Sequence, residues 1–235
     1  MTPNANAIAM NLTQVRQQIT DAAQEANRTP ESIALLAVSK TKPVSAIRAA
    51  YAAGQRLFAE NYVQEGVNKI HECQDLDGIQ WHFVGPIQSN KTKDIAEHFD
   101  WVHSIDREKI ARRLNEQRLP RQAPLQVLIQ VNIDDEASKA GITLHQIDTL
   151  ASFIRSCPHL QLRGLMAIPR ANSSENEQAS SFSALQHAFL ELQQGDPKVD
   201  TLSLGMSGDL ASAIKYGSTM VRIGTAIFGA RERNA

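Results

Sequence analysis

Short apolar runs rich in β-branched residues recur eight times along this chain, and amphipathic stretches lie between them. The runs start at Ile33 (IALLAVS), Arg56 (RLFAE), Ile79 (IQWHFVG), Trp101 (WVHSI), Leu125 (LQVLIQVNI), Leu160 (LQLRGLMAI), Thr201 (TLSLGM) and Thr219 (TMVRIG). Runs of four to eight such residues read as strands, and strands alternating with helices build parallel βαβ units. Eight units in 235 residues predict an α/β fold, a closed (β/α)8 TIM barrel forming one domain over residues 1–235. A doubly wound open sheet is the alternative. Ile8, Leu12, Val15 and Ile19 fall at helical spacing and predict an N-terminal helix over about 6–27. Gly54 and Gly217 sit where helix C-caps would. The stretch IPRANSSENEQAS reads as the loop after the sixth strand.

Charge excludes some partners. A formal net charge of −1 with 21% charged residues gives no basic footprint for nucleic acid. Lys91, Lys93, Arg107, Lys109, Arg112 and Arg113 are interleaved with acids. No run approaches the ~18 apolar residues of a membrane span, and the N-terminus lacks the pattern of a secretory leader. Cys73 and Cys157 have no paired-motif spacing, so reduced thiols in a cytoplasmic protein are expected. His98-x-Asp100-x-x-His103 is loosely metal-like, but an Asp between two elements reads as a turn residue and no metal site is expected. Trp81 and Trp101 read as packing residues; Asp134, Asp135 and Lys139 read as solvated and mutually paired.

The C-terminal strand ends of such a barrel converge on one face. Lys40, Asn61, Gln88, His103, Asn132, Met206, Ser207 and Thr225 fall there, a set that suits a ligand better than a packed core. Phosphate sites in these barrels commonly form from the loops after strands seven and eight. GMSGD and RIGTA place Ser207–Gly208 and Gly224–Thr225 at those two points, offering backbone N–H groups and hydroxyls. The alternative for Ser207 is a plain N-cap with Asp209 in the first turn.

Leu36, Val38 and Lys40 share one strand face. If that face lines the barrel, the Lys40 amine stands in the mouth, where partial desolvation favours the neutral nucleophile. A lysine there, beside an anion pocket, suits a Schiff base with a phosphorylated aldehyde, pyridoxal phosphate being the common case. The alternative is a solvated rim lysine, as Lys42 is read. Arg222 shares parity with Met220 and Gly224 and would also face the lumen. There it either donates to a pyridine nitrogen, disfavouring protonation of that nitrogen, or pairs with a carboxylate.

The stretches LLAVSKTKP, AENYVQE, WHFVGPIQSNK, RGLMAI, LSLGMSGD and GSTMVRIGTAIFG resemble, in order, the YggS/PROSC family of pyridoxal phosphate homeostasis proteins. The resemblance spans about Leu35 to Gly229. It implies a cytoplasmic, mainly monomeric barrel like the N-terminal domain of alanine racemase, a fold-type III barrel without the C-terminal β-domain. It also implies that Lys40 carries the cofactor as an aldimine, with Asn61 beside it, and that Ser207, Gly224, Thr225 and the Met206 backbone hold the phosphate. Arg222 would face the pyridine nitrogen. Ala59, where the family more often has glycine, and Gly208 are departures.

A racemase needs a second acid/base on the opposite face of the cofactor. In the related racemases a C-terminal β-domain of a partner subunit supplies it, and the six residues after Gly229 leave no room for one. The expectation is therefore reversible binding of pyridoxal 5'-phosphate, buffering of this vitamin B6 form and delivery to apo-enzymes by transient contact. Little or no amino-acid turnover is expected. The alternative is a slow or vestigial fold-type III racemase. A lyase of the aldolase kind is a third reading, disfavoured by the early lysine and the absence of carboxylates around it.

Overall fold

The computed structural model describes residues 4–134, 136, 139–170 and 173–230. All eight apolar runs are strands: β1 (Ala34–Val38), β2 (Leu57–Glu60), β3 (Gln80–Phe83), β4 (Trp101–Ile105), β5 (Leu125–Val131), β6 (Leu160–Ala167), β7 (Thr201–Ser203) and β8 (Met220–Ile223). They pair in parallel and in chain order, and β8 returns to β1 through Ala34–Met220 to Ala37–Ile223, closing the barrel. The open-sheet alternative is thereby removed.

Strand alternation sorts the side chains. Leu35, Ala37 and Phe58 join the large core between barrel and helices. Leu36, Ala59 and Met220, with Val38 and Val84 against them, fill the inner side separately. Trp101, Leu128 and Met166 form a second inner cluster. The Leu36–Val38 parity therefore faces the lumen, which meets the condition on which the reading of Lys40 depends. Trp81 packs outside against Phe58, while Trp101 lies inside.

Helices α2 (Val44–Ala52), α3 (Val63–Glu72), α4 (Thr92–His98), α5 (Glu108–Gln117), α6 (Ile147–Arg155), α7 (Glu175–Gln194), α8 (Leu210–Lys215) and α9 (Thr225–Phe228) cover the barrel. The N-terminal helix α1 (Ala5–Glu25) is started by the Asn4 side chain, which accepts from the Ala7 N–H. It buries Ile8, Leu12, Val15 and Ile19 and packs on α2, α8 and α9. Asn27, with φ 54°, then turns the chain out of the helix in the left-handed region that Asn tolerates.

Four local readings are corrected. Helix α7 begins inside the stretch read as a loop, because Ser174 and Glu177 form a capping box; Ala171 and Asn172 lie outside the described residues. Ser207 does not cap α8; Asp209 occupies that position. Lys42 is no rim residue: it is buried and its Nζ donates to the Ala230 carbonyl at 2.7 Å. Asp134 accepts from the Ser181 hydroxyl and the Arg170 N–H, and Lys139 pairs with Glu136 at 3.0 Å. Asp135 lies outside the described residues. The metal-like triplet does not converge: His98 bonds its own helix, Asp100 accepts from the Trp81 N–H, and His103 is inside the barrel.

Candidate cofactor site

The end of β1 is held from below. Ser39 Oγ donates to Glu60 Oε1 at 2.6 Å, and Lys69 Nζ reaches the Ser39 carbonyl at 2.7 Å. The same ammonium pairs with Glu60 at 2.9 Å and Glu65 at 2.6 Å. Glu65 in turn accepts from the Thr41 N–H at 2.6 Å. Both neighbours of Lys40 are thus tied to β2 and α3, and Thr41 is held at φ 62°. Burial pushes the Glu60 carboxyl above its ordinary range, against the pull of Lys69 and Ser39. Nothing in the spacing of Lys69 distinguished it from a solvated helix lysine.

Next to that loop, Asn61 follows β2. Gly85 lies so close to the Asn61 carbonyl that a Cβ there would collide with it, which fixes how closely the β2 and β3 ends approach. Asn61 Oδ1 is buried and has no hydrogen-bond partner among the described residues. An unmet buried acceptor is costly unless a ligand donor meets it.

Across the mouth, β7 is followed after Ser203 by Leu204 and Gly205; the φ of Gly205 is 102° and its Cβ position is filled by Ala213 at 2.6 Å. The chain then turns through Met206–Asp209, where Asp209 Oδ1 accepts from the Met206 N–H at 2.6 Å. Ser207 and Gly208 stand at the tip of this turn. The Met206 N–H is therefore engaged, and Met206 presents an exposed side chain. After β8, Gly224 opens the short turn α9, whose first N–H groups have no intrahelical acceptor.

Arg222 projects between these turns. It is 6% exposed, donating to Ser203 Oγ at 2.7 Å and the Ala167 carbonyl at 3.0 Å. It forms no salt bridge with a carboxylate among the described residues, so the alternative of carboxylate pairing fails; only the more distant charge of Asp209 supports it. Burial pulls its pKa down to about 10.

These elements enclose one cleft of about 400 Å³, within the range of small-molecule sites. All seven residues singled out in the sequence line it: Lys40, Asn61, Met206, Ser207, Arg222, Gly224 and Thr225. Val38, Val84, Ile168 and Gly208 complete the wall. A neighbouring recess of about 300 Å³ shares Asn61, Val84 and Ile168 and extends past Gln130, Asn132 and Lys139.

Closed parallel barrel and mouth lysine together define a barrel of the alanine racemase N-terminal class, and the family described as "Alanine racemase, N-terminal domain" matches residues 5–232. Within that class, the chain belongs to the pyridoxal phosphate homeostasis protein family, YggS/PROSC. The pyridoxal phosphate homeostasis protein of Escherichia coli strain K12 is 58% identical over 229 residues, covering 97% of this chain and 98% of that one. That of Pseudomonas aeruginosa PAO1 is 52% identical over 230 residues, 98% of each chain. PipY of Synechococcus elongatus, solved with PLP bound, is 37% identical at a TM-score of 0.82, covering 94% of this chain and 100% of that one. An alanine racemase of Clostridium difficile 630 is 14% identical at a TM-score of 0.74. It covers 98% of this chain but 58% of that one, a likeness of fold alone.

Proposed function

We propose that this chain binds pyridoxal 5'-phosphate at Lys40 and acts in its homeostasis as a carrier and buffer, with little or no amino-acid turnover. The observation that carries the reading is the convergence of Lys40, Asn61, Arg222 and the β7 and β8 turns on one cleft. The residues present fit the group. Asn61 Oδ1 is an acceptor in need of a donor, and the cofactor carries a ring hydroxyl. Ser207, Gly208, Gly224 and Thr225 offer hydroxyls and backbone N–H groups suited to a phosphate. Arg222 can only donate, which suits an unprotonated ring nitrogen.

When bound, the cofactor supplies an aldehyde carbon open to amines. The residues do the rest. Lys40 presents the amine, its strand end pinned by Glu60, Glu65 and Lys69. Arg222, lining the same cleft, would keep a positive charge beside the bound ring and disfavour proton uptake there. Lys40 and Arg222 are the only titratable side chains among the described residues lining the cleft. Among the described residues of that wall there is no second acid/base, which racemisation requires. The names of the relatives support the homeostasis reading, and the shared fold keeps slow racemisation as the alternative.

Two assays on one preparation decide between them. The loaded protein is expected to restore activity to an apo-enzyme that depends on pyridoxal phosphate. It is expected to leave L-alanine and L-serine stereochemically unchanged over the same hours. Steady racemisation by the chain alone would overturn the carrier reading in favour of the enzyme.

A further inference from the structure

A file of polar side chains crosses the inside of the barrel beneath the cleft. Arg222 on β8 meets Ser203 Oγ on β7 at 2.7 Å. Ser203 Oγ lies 2.9 Å from Nδ1 of His103 on β4. His103 Nε2 lies 2.9 Å from Nδ1 of His82 on β3. His82 then lies flat on Trp101, with ring centres 5.1 Å apart and planes 13° apart. Ser203, His103 and His82 are 0% exposed, and His82 Nε2 has no partner among the described residues.

Chemistry orients every proton in this file. A guanidinium can only donate, so Ser203 Oγ accepts from Arg222. The one Ser203 hydrogen then goes to His103 Nδ1, leaving the His103 hydrogen on Nε2. That hydrogen points at His82 Nδ1, and the His82 hydrogen is left on its unpartnered Nε2. The reverse polarity would strand both the serine hydrogen and the outer lone pair of His82. Neutrality is enforced as well. Burial pushes both imidazoles far below their ordinary range, His82 to about 3. Among the described residues, the charges met next to the file are Asp209, felt at Arg222, and Arg163, stacked 4.7 Å over Trp101 and itself paired with Asp200 at 2.6 Å. Among the described residues, no carboxylate pairs with either ring.

We infer that Ser203, His103 and His82 are positioning residues for Arg222, aiming its guanidinium into the cleft through neutral partners so that the site selects an unprotonated ring nitrogen. The inference rests on the cofactor reading above. An anionic partner would have fixed Arg222 more tightly but cancelled the charge that opposes ring protonation. A neutral serine backed by a neutral histidine fixes direction and leaves the charge intact.

Selectivity tests it. The probes are pyridoxal phosphate and its 1-deaza analogue, which keeps the aldehyde and phosphate but has CH in place of the ring nitrogen. The wild-type protein is expected to favour pyridoxal phosphate, and Ser203→Ala to lower that preference about tenfold, the scale of one charged hydrogen bond. Ser203→Thr is expected to restore it. An equal loss of affinity for both compounds, or an unchanged ratio, would show a merely structural serine and overturn the inference. A second measurement needs no ligand: ¹⁵N NMR of the imidazoles. Both rings are expected to be neutral at pH 5 with the hydrogen on Nε2, and His103 to shift in Ser203→Ala. Protonated rings, or hydrogens on Nδ1, would overturn the file. A wild-type protein that shows these tautomers yet binds neither compound sinks the cofactor reading and the selectivity with it, leaving the file as a core device.

Discussion

Beneath Lys40, the buried pair of Glu60 and Lys69 shows how a reactive position is made rigid. Lys69 is 5% exposed and satisfies Glu60, Glu65 and the Ser39 carbonyl at once. Removing one partner of such a pair strands the other charge out of water. Lys69→Met is therefore expected to lower unfolding free energy by about 3 kcal/mol in urea denaturation, and Lys69→Met with Glu60→Gln to recover part of that loss. A single variant as stable as the parent would contradict this account. The mouth residues were legible because each sits at a strand end, where the fold dictates convergence. Lys69 was not, because its role depends on α3 folding back over the β1–β2 loops.

Among the elements, α1 is the clearest case of periodicity becoming packing. Its Ile8, Leu12, Val15 and Ile19 stripe was readable from spacing alone, and it seals the barrel wall over α8 and α9. Asn11 adds a hydrogen bond to the Ile227 carbonyl at 2.9 Å, and Arg28 holds the carbonyls of Ile214 and Ser218 at 2.7 Å. Leu12 is 0% exposed, so Leu12→Ala is expected to cost about 2–5 kcal/mol, read as a fall in the urea midpoint at unchanged slope. A loss under 1 kcal/mol would mean that α1 is only loosely applied. Helix starts were less legible than helix bodies. The Ser174–Glu177 capping box lay hidden in a polar tract. The α8 start moved because Asp209 turns back on the Met206 N–H instead of entering the first turn.

For the whole molecule, eight strand–helix units implied closure, and closure brought β8 beside β1 and hence Arg222 into the same cleft as Lys40. The interior file was not legible. His82, His103 and Ser203 sit on β3, β4 and β7, and only the closed barrel brings β7 across to the other two. The file has a cost that pH reveals. Both imidazoles are neutral in the fold, whereas in the unfolded chain they take up protons below about pH 6.5. Between 6.5 and about 3 the unfolded chain thus binds more protons, so stability falls as pH falls. Glu60, raised in the fold, works in the opposite sense and offsets part of this above its ordinary pKa of 4.5. Unfolding free energy is expected to drop by about 3 kcal/mol from pH 7 to pH 5, by urea titration at each pH. A flat profile would mean that the two histidines are not held neutral.

The central claim is an amine held in the mouth of a parallel barrel within reach of an aldehyde. Borohydride reduction of the pyridoxal phosphate-loaded protein, followed by peptide mapping, tests it most directly. The expected result is a pyridoxyl group on Lys40, absent from Lys40→Ala. A pyridoxyl group on another lysine, or none on the wild-type protein, would contradict it.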